Sequence, residues 1–490
     1  MFSNNLLNYN KMDRILNKIN SIKQFNKLFQ ISHQLQKNCN RFNNINLLLL
    51  NAPCNGFGDL IFAKKLADHL RKTFKIKVTI ATTEPEKLLL LGENSKYLKK
   101  LASTGKATEK VRPCRIFSKL RMYDIDKKTK SDISKFNLFF VAPLSFDYDP
   151  KISDIKPLVP FATKFNTFFF SEYNDTIRKD FDFHTGVGNN RDGILLTKPE
   201  IISKNSINKL LNTKKFGSFS LIYVADIDKA IPCIKGFLEM ISKKYNANKF
   251  QIIIPQFLYK DVSAKNFVKQ IFSKYWNKIT ILSKNKQPIV YDGNGSGHLT
   301  IRFDILPVKN KIMMGLIRHS IKDILLTGDQ SISDALSCCV DKNIFYQIAP
   351  WKTDFGKNLA KYMPNKYLRS TKTSCGNLSA INYKSNYSTF IKKHNFFKNV
   401  HNRLKSILCM TQLSTKHNYI SQYIDIVNSS RSIKQVKNKI LDLLKSTNTR
   451  KSSKRLTQQT HKSRRKSSRK SHNSRRKSRR KSRRKSARKF

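Results

Sequence analysis

Acidic residues are scarce in this chain of 490 residues: 32 Asp and Glu stand against 95 Lys and Arg, for a formal charge of +63. The eight cysteines (Cys39, Cys54, Cys114, Cys233, Cys338, Cys339, Cys375 and Cys409) include no CxxC pair, and no histidine cluster accompanies them. That argues against a zinc site and for reduced thiols inside a cell. No apolar run approaches the length of a membrane span; Ile45 to Leu50 and Leu88 to Leu91 are strand- or helix-sized. The N-terminus lacks a signal-peptide core, so the expected location is intracellular (cytoplasm, nucleus or virus particle) and not secreted. The one Gly-x-Gly turn that follows an apolar strand lacks the third glycine of a dinucleotide fingerprint. No Gly-Lys-Ser/Thr follows a glycine loop either, so neither an NAD site nor a Walker A loop is expected.

The positive charge is present in two forms. The stretch 450–490 holds twenty-one Lys and Arg and no acid, and Ser474 to Ser486 repeats Ser-Arg-Arg-Lys every four residues. Such a segment cannot bury a core, so it is expected to be disordered, with DNA or RNA as its natural partner. It has almost no aromatics for base stacking, which predicts non-specific binding. Phosphorylation of its serines would remove much of the charge. The remaining 74 basic against 32 acidic residues are spread among many Asn, Ile and Lys, the pattern of a solvated surface.

The chain divides into five parts. Residues 1–44 form a helical leader. Met12, Ile15, Leu16, Ile19, Ile22 and Phe29 recur at roughly helical spacing among Lys11, Arg14, Lys18, Lys23 and Lys27. An organelle presequence or membrane-surface helix has this pattern, but a helix packed on its own domain is preferred. Residues 45–197 begin with the apolar run Ile45–Asn51, a glycine turn, and a helix with Leu60, Ala63, Leu66, Ala67 and Leu70 on one face. The strand Lys77–Ala81 follows, with further strands at 136–144 and 165–170. Residues 198–387 open with a bridge over 198–215 and then repeat the scheme, with strands at 219–225, 250–255, 279–283, 324–327 and 343–348. The intervening helices fall at 227–245, 263–276, 311–320 and 331–339. Residues 388–449 read as helices, and the basic tail is 450–490. The fold class is therefore α/β, with two Rossmann-like domains facing across a cleft.

Three segments can carry chemistry. Gly56-Phe-Gly58-Asp59 ends the first strand, where glycines permit a tight turn and the following helix offers free amides. The plainer alternative makes Asp59 a first-turn acid or cap. Thr327-Gly328-Asp329-Gln330-Ser331-Ile-Ser333-Asp334 is a second strand, turn and helix start suited to a diphosphate, with Asp334 able to accept from sugar hydroxyls. Capping by Asp329 or Ser331, with Asp334 at the third helical position, is compatible with that role. Third, Trp351 and Lys352 follow the strand at 343–348. Trp351 is placed to stack on a ring and Lys352 to reach a phosphate, or Trp351 seals a core edge.

With these turns, the chain resembles GT-B glycosyltransferases, most closely the heptosyltransferase-like and protein-arginine rhamnosyltransferase-like groups. The likeness spans about residues 45–365 in layout and is carried by Gly56–Asp59 and Thr327–Asp334. It implies inverting, metal-independent sugar transfer from a nucleotide sugar, which is a substrate, with no cofactor. Asp59 would be the general base, with Gly56 and Gly58 lining the acceptor side. Gly328, Asp329, Ser331, Ser333, Asp334, Trp351 and Lys352 would form the donor side. Arg318, His319 and Lys352 compete for the basic residue at the leaving phosphate.

His184 and Arg191 flank the turn-rich stretch 184–193 and are weaker cleft candidates. The glycine-rich segment Asp292–His298, with Ser296 and His298, reads as a mobile loop. Two rivals to the enzyme remain. One is a non-enzymatic nucleic-acid-binding or virion-packaging protein that uses the basic tail. The other is a nucleotide-sugar epimerase, for which no acid/base pair can be placed.

Overall fold

Leu47, Leu48, Leu49 and Leu50 are each completely buried, as a strand covered on both faces requires. They form β1 (Asn46–Asn51) at the centre of the first sheet. In the computed structural model the described residues are 42, 44–53, 57–101, 131–144, 151–362 and 378–417, with gaps at 157, 161, 164–165, 175, 178, 226–229, 340 and 382–386. The leader helix, Gly56 and the basic tail 450–490 lie outside them.

The first half is a five-stranded parallel sheet in the order β3-β2-β1-β4-β5. Its other strands are β2 (Lys77–Thr82), β3 (Leu98–Lys100), β4 (Leu138–Leu144) and β5 (Thr167–Ser171). Helix α1 (Gly58–Phe74) connects β1 to β2. It buries Leu60, Ala63, Leu66, Ala67 and Leu70, the face that the sequence period predicts.

The second half is an eight-stranded sheet in the order β13-β12-β11-β6-β7-β10-β8-β9. Its strands are β6 (Ser218–Tyr223), β7 (Lys249–Ile253), β8 (Lys278–Leu282), β9 (Ile289–Asp292), β10 (His298–Arg302), β11 (Asp323–Thr327), β12 (Asn343–Gln347) and β13 (Leu378–Ile381). All pairings are parallel except β8–β9 and β12–β13. Its main helices are α2 (Lys204–Leu211), α3 (Ala230–Tyr245), α4 (Lys265–Ile271), α5 (Asn310–His319), α6 (Asp329–Cys338) and α7 (Thr353–Tyr362). The fold class is α/β with two Rossmann-like sheets, as expected. No helix among the described residues is long and apolar enough to cross a membrane.

Three expectations are corrected. The helix expected over 263–276 is only Lys265–Ile271, because the chain turns after it to bury Trp276 completely. The glycine-rich stretch 292–298 is no mobile loop. Gly293 N donates to Asn277 O at 2.7 Å, Asn294 N to Ser273 O at 2.7 Å and Ser296 N to Tyr275 O at 3.1 Å. A Cβ on Gly295 would sit 2.0 Å from the Tyr275 carbonyl carbon, so the glycines serve a close backbone approach. The stretch 198–215, read as a bridge, contains α2, whose Ile207 lies against Gly315 of α5.

The C-terminal helices α8 (Tyr387–His394), α9 (Phe396–Asn399) and α10 (His401–His417) return to the first half. Ile194 N donates to His394 O at 2.9 Å and Phe396 N to Ile194 O at 3.0 Å. His69 of α1 stacks on Phe397 with ring centres 3.9 Å apart, and Phe74 stacks on His401 at 5.2 Å. The Arg403 guanidinium lies 4.1 Å above the Phe183 ring.

Candidate functional site

The strand order reverses at β1/β4 in the first half and at β6/β11 in the second, where β10 is also inserted between β7 and β8. An open parallel sheet leaves a crevice at the carboxyl end of such a reversal. Both glycine turns fall there. Phe57-Gly58-Asp59 follows β1 and begins α1; Gly328-Asp329 follows β11 and begins α6.

At neither helix start does the preceding residue close the first turn with its side chain. The residue before α1 is Phe57 and the one before α6 is Gly328, and neither makes a side-chain capping bond. This corrects the expectation that Asp329 or Ser331 caps α6. Asp329 is instead its first residue and Asp334 its sixth. Gly328 has φ +75°, a conformation that glycine adopts without strain. The first turn of each helix carries the positive end of the helix dipole.

The two starts meet across one seam. A Cβ on Gly58 would lie 3.7 Å from Asp329 Oδ1 and 3.9 Å from Gln330 Cγ. Asp59, in the first turn of α1, is half-buried at this seam. The Asn51 amide holds the turn from below: Asn51 Nδ2 donates to Asp59 O at 3.2 Å and to Ala142 O at 3.0 Å. In the second half Gln347 does the same work. Ala225 N donates to Gln347 Oε1 at 2.9 Å, and Thr327 Oγ1 donates to Gln347 O at 3.1 Å. A buried amide thus ties strand ends together beside each glycine turn. Sequence reasoning missed both, although a polar residue closing an apolar strand is a readable signal.

Two ionic clusters cross the seam. Lys352 Nζ pairs with Glu172 Oε2 at 2.5 Å and with Asp329 Oδ2 at 2.9 Å. Glu172 follows β5 in the first half; the other two belong to the second. Burial alone would lower the pKa of Lys352, but the Asp329 and Glu172 carboxylates outweigh it and hold that pKa well above the ordinary lysine value. The second cluster centres on Lys65 of α1. Its Nζ lies 2.6 Å from Asp334 Oδ1 and donates to Ser333 Oγ at 2.8 Å and Gln330 Oε1 at 3.2 Å. Lys65 is 8% exposed and Asp334 5%. Neither Glu172 nor Lys65 was singled out by sequence.

Aromatic groups line the same seam. Tyr173 is buried between Phe62 of α1, at 5.9 Å, and Phe355 of α7, at 5.4 Å, and its hydroxyl accepts from Leu195 N at 2.7 Å. Tyr346 on β12 is fully buried, and its hydroxyl has no hydrogen-bond partner among the described residues. Burial raises its pKa, with the Asp329 charge adding to this and Lys352 opposing it.

The structure brings Gly58 close to Asp329 and pairs Asp329 with Lys352; Asp59 follows Gly58 in the first turn of α1. Ser333 and Asp334 are buried and both engage Lys65 of α1. Ser331 is half-buried on α6, and Trp351 is 58% exposed beside Lys352. Gly56 lies outside the described residues. Arg318 and His319 are not part of the site. They end α5, at the amino end of β11, where Arg318 binds Cys338 O and Asp341 and His319 Nε2 contacts Ile202 O at 3.1 Å. Of the three bases considered for a leaving phosphate, only Lys352 lies at the carboxyl edge. Ser296 lies against the backbone of Asn246, away from either reversal. His184 N and Arg403 both bind the Asp192 carboxylate, and Tyr362 of α7 donates to Asn189 Oδ1 at 2.8 Å, so the 184–193 turn lies between the C-terminal helices and α7.

No protein-family model and no curated protein matches this chain. Solved structures match it at low similarity. MnaA from S. aureus, solved with UDP, is 9% identical with a TM-score of 0.37, covering 78% of this chain and 95% of MnaA. MurG from Acinetobacter baumannii is 10% identical with a TM-score of 0.37, covering 79% and 100%. HepE from Anabaena, solved with UDP-glucose, is 10% identical with a TM-score of 0.34, covering 82% and 100%. At these values the likeness carries no argument about the reaction, which rests on the residues of the site.

Proposed function

We propose that this chain is a glycosyltransferase that moves a sugar from a nucleoside diphosphate sugar to an acceptor, with inversion and without a metal. The observation that carries this reading is the meeting of two helix starts without side-chain caps, one from each half. One carries Asp59 in its first turn, and the other begins after Gly328 with Asp329 paired to Lys352.

The chemistry follows from that geometry. The diphosphate lies at the start of α6, where free amides and the helix dipole favour negative charge. The acceptor approaches from the α1 side. Asp59 takes the acceptor proton as the acceptor atom forms its bond to the anomeric carbon. The bond from that carbon to the diphosphate oxygen breaks on the opposite face, and the diphosphate leaves with the electron pair. The α6 amides and the Lys352 ammonium stabilise that charge. Trp351, exposed beside Lys352, is the surface on which the donor base stacks.

The test uses the full chain in enough salt to screen the basic tail. UDP, GDP, ADP and dTDP and their sugars are scored for the rise in melting temperature that specific binding produces. The same sugars are then scored for slow donor hydrolysis. Asp59→Asn should abolish hydrolysis and keep the nucleotide-induced shift. If no nucleotide shifts the wild type, or if Asp59→Asn turns over normally, the reading fails.

A second role accompanies the first. The stretch 450–490, with twenty-one basic residues and no acid, attaches the enzyme to a polyanion such as DNA or RNA.

A further inference from the structure

The Lys352 cluster contains one buried ammonium and two half-buried carboxylates at the start of α6. Its net charge is already negative. The donor reading above brings a diphosphate to the same helix start. Three anions cannot share one ammonium in a place this poorly solvated without large repulsion. One carboxylate has to give way.

Asp329 is the first residue of α6 and moves only with the helix start. Glu172 belongs to the other half, in the loop after β5, and reaches Lys352 across the seam. It is the group free to yield. Tyr346 adds an independent sign. Its hydroxyl is fully buried and without a partner among the described residues, on the strand that leads into the Pro350–Lys352 turn. Buried hydroxyls are ordinarily paired, so this one marks a place where a further acceptor belongs.

We propose that Glu172 is a positioning residue for the donor site: without a donor it holds the Lys352 ammonium across the seam, and the diphosphate takes that ammonium from it. The inference rests on the donor reading and deepens it. Loss of the Glu172–Lys352 bridge is then part of donor binding, so donor occupancy and the joining of the two halves are coupled. Such coupling is reciprocal: whatever weakens the bridge strengthens donor binding.

The experiment is a calorimetric titration of the full chain with UDP, GDP, ADP and inorganic pyrophosphate, in salt sufficient to screen the tail. Glu172→Gln keeps the shape and a hydrogen bond but removes the competing charge. It should bind its preferred diphosphate about tenfold more tightly than the wild type, the low end of what a close charge pair couples. Glu172→Asp, which keeps the charge on a shorter arm, should fall between them and serves if the Gln variant folds poorly. Lys352→Met should lose binding, and Glu172→Gln combined with Lys352→Met should show no gain over Lys352→Met alone.

Equal or weaker binding by Glu172→Gln overturns the inference and leaves the donor reading standing. A gain that persists without Lys352 also overturns it, because the effect would then be general charge. Failure of wild type and every variant to bind any diphosphate removes the donor reading itself, and the inference with it.

Discussion

The Lys65 ammonium of the first half lies 2.6 Å from the Asp334 carboxylate of the second, with both side chains almost wholly buried. Breaking a buried pair by removing one partner leaves an uncompensated charge, at a cost of about 3–5 kcal/mol. Lys65→Met should therefore lower stability by about that much in urea denaturation. Adding Asp334→Leu should recover most of the loss, because no charge is then stranded. If the double variant is as weak as the single one, the pair is not what joins α1 to α6.

Gly295 makes a sharper claim. A Cβ there would meet the Tyr275 carbonyl carbon at 2.0 Å, and backbone cannot step aside as a flexible side chain does. Gly295→Ala should destabilise the second half by about 1–3 kcal/mol, the usual cost of overpacking. Urea midpoints unchanged from wild type would mean that the segment 292–298 is loose after all.

The contrast between these two sites shows what the sequence could reveal. The strands were legible because a chain covered on both faces must be apolar without interruption, as Leu47–Leu50 and Ile324–Leu326 are. The turns were legible because Gly58 and Gly328 interrupt those runs at their carboxyl ends. Gly293 and Gly295 were misread because a glycine that frees a loop and a glycine that admits a neighbouring backbone look alike until the neighbour is known. Lys65 and Glu172 were invisible for the same reason. Each is an ordinary charged residue locally, and its partner lies in the other half: Asp334 for Lys65, Lys352 for Glu172. The return of α8–α10 to the first half was likewise beyond a reading of local pattern.

The packing of those returning helices should depend on pH. His69 has its pKa lowered to about 4, first by burial and then by the nearby His401; His394 is lowered to about 4 by burial and by Lys393. In the folded chain both are therefore neutral at pH values where the unfolded chain begins to protonate, near 6.5. The unfolded state binds more protons between those values, so stability rises with pH there. Their contribution is complete above about pH 6.5 and is lost as the pH falls toward 4. The urea midpoint should drop over that window, and His69→Gln should reduce the drop. A midpoint flat from pH 7 to 4 would refute this assignment.

Trp351 separates binding from folding. At 58% exposure it contributes little to the core, yet it stands beside Lys352 at the carboxyl edge of β12. Stacking of a base on an aromatic ring is worth about 1–3 kcal/mol by alanine substitution. Trp351→Ala should weaken binding of the preferred nucleoside diphosphate by that amount and leave binding of inorganic pyrophosphate unchanged. Its melting temperature without ligand should match the wild type. Equal losses for both ligands would place the tryptophan's effect on the phosphates instead of the base.

Removing 450–490 tests whether the two roles are separate. That stretch carries 21 of the chain's 95 basic residues with no acid to offset them, and Phe490 is its one Phe, Tyr or Trp. Binding through it should therefore be electrostatic, indifferent to sequence and steeply weakened by salt. The shortened chain should lose most of its affinity for DNA and RNA in low salt, and the slope of log affinity against log salt should flatten. Its response to nucleoside diphosphates in high salt should not change, because salt screens the charge through which the tail acts. If the shortened chain keeps full nucleic-acid affinity, the diffuse charge of the α/β body is the polyanion surface. If it loses the diphosphate response, the tail takes part in the donor site and the separation argued from composition is false.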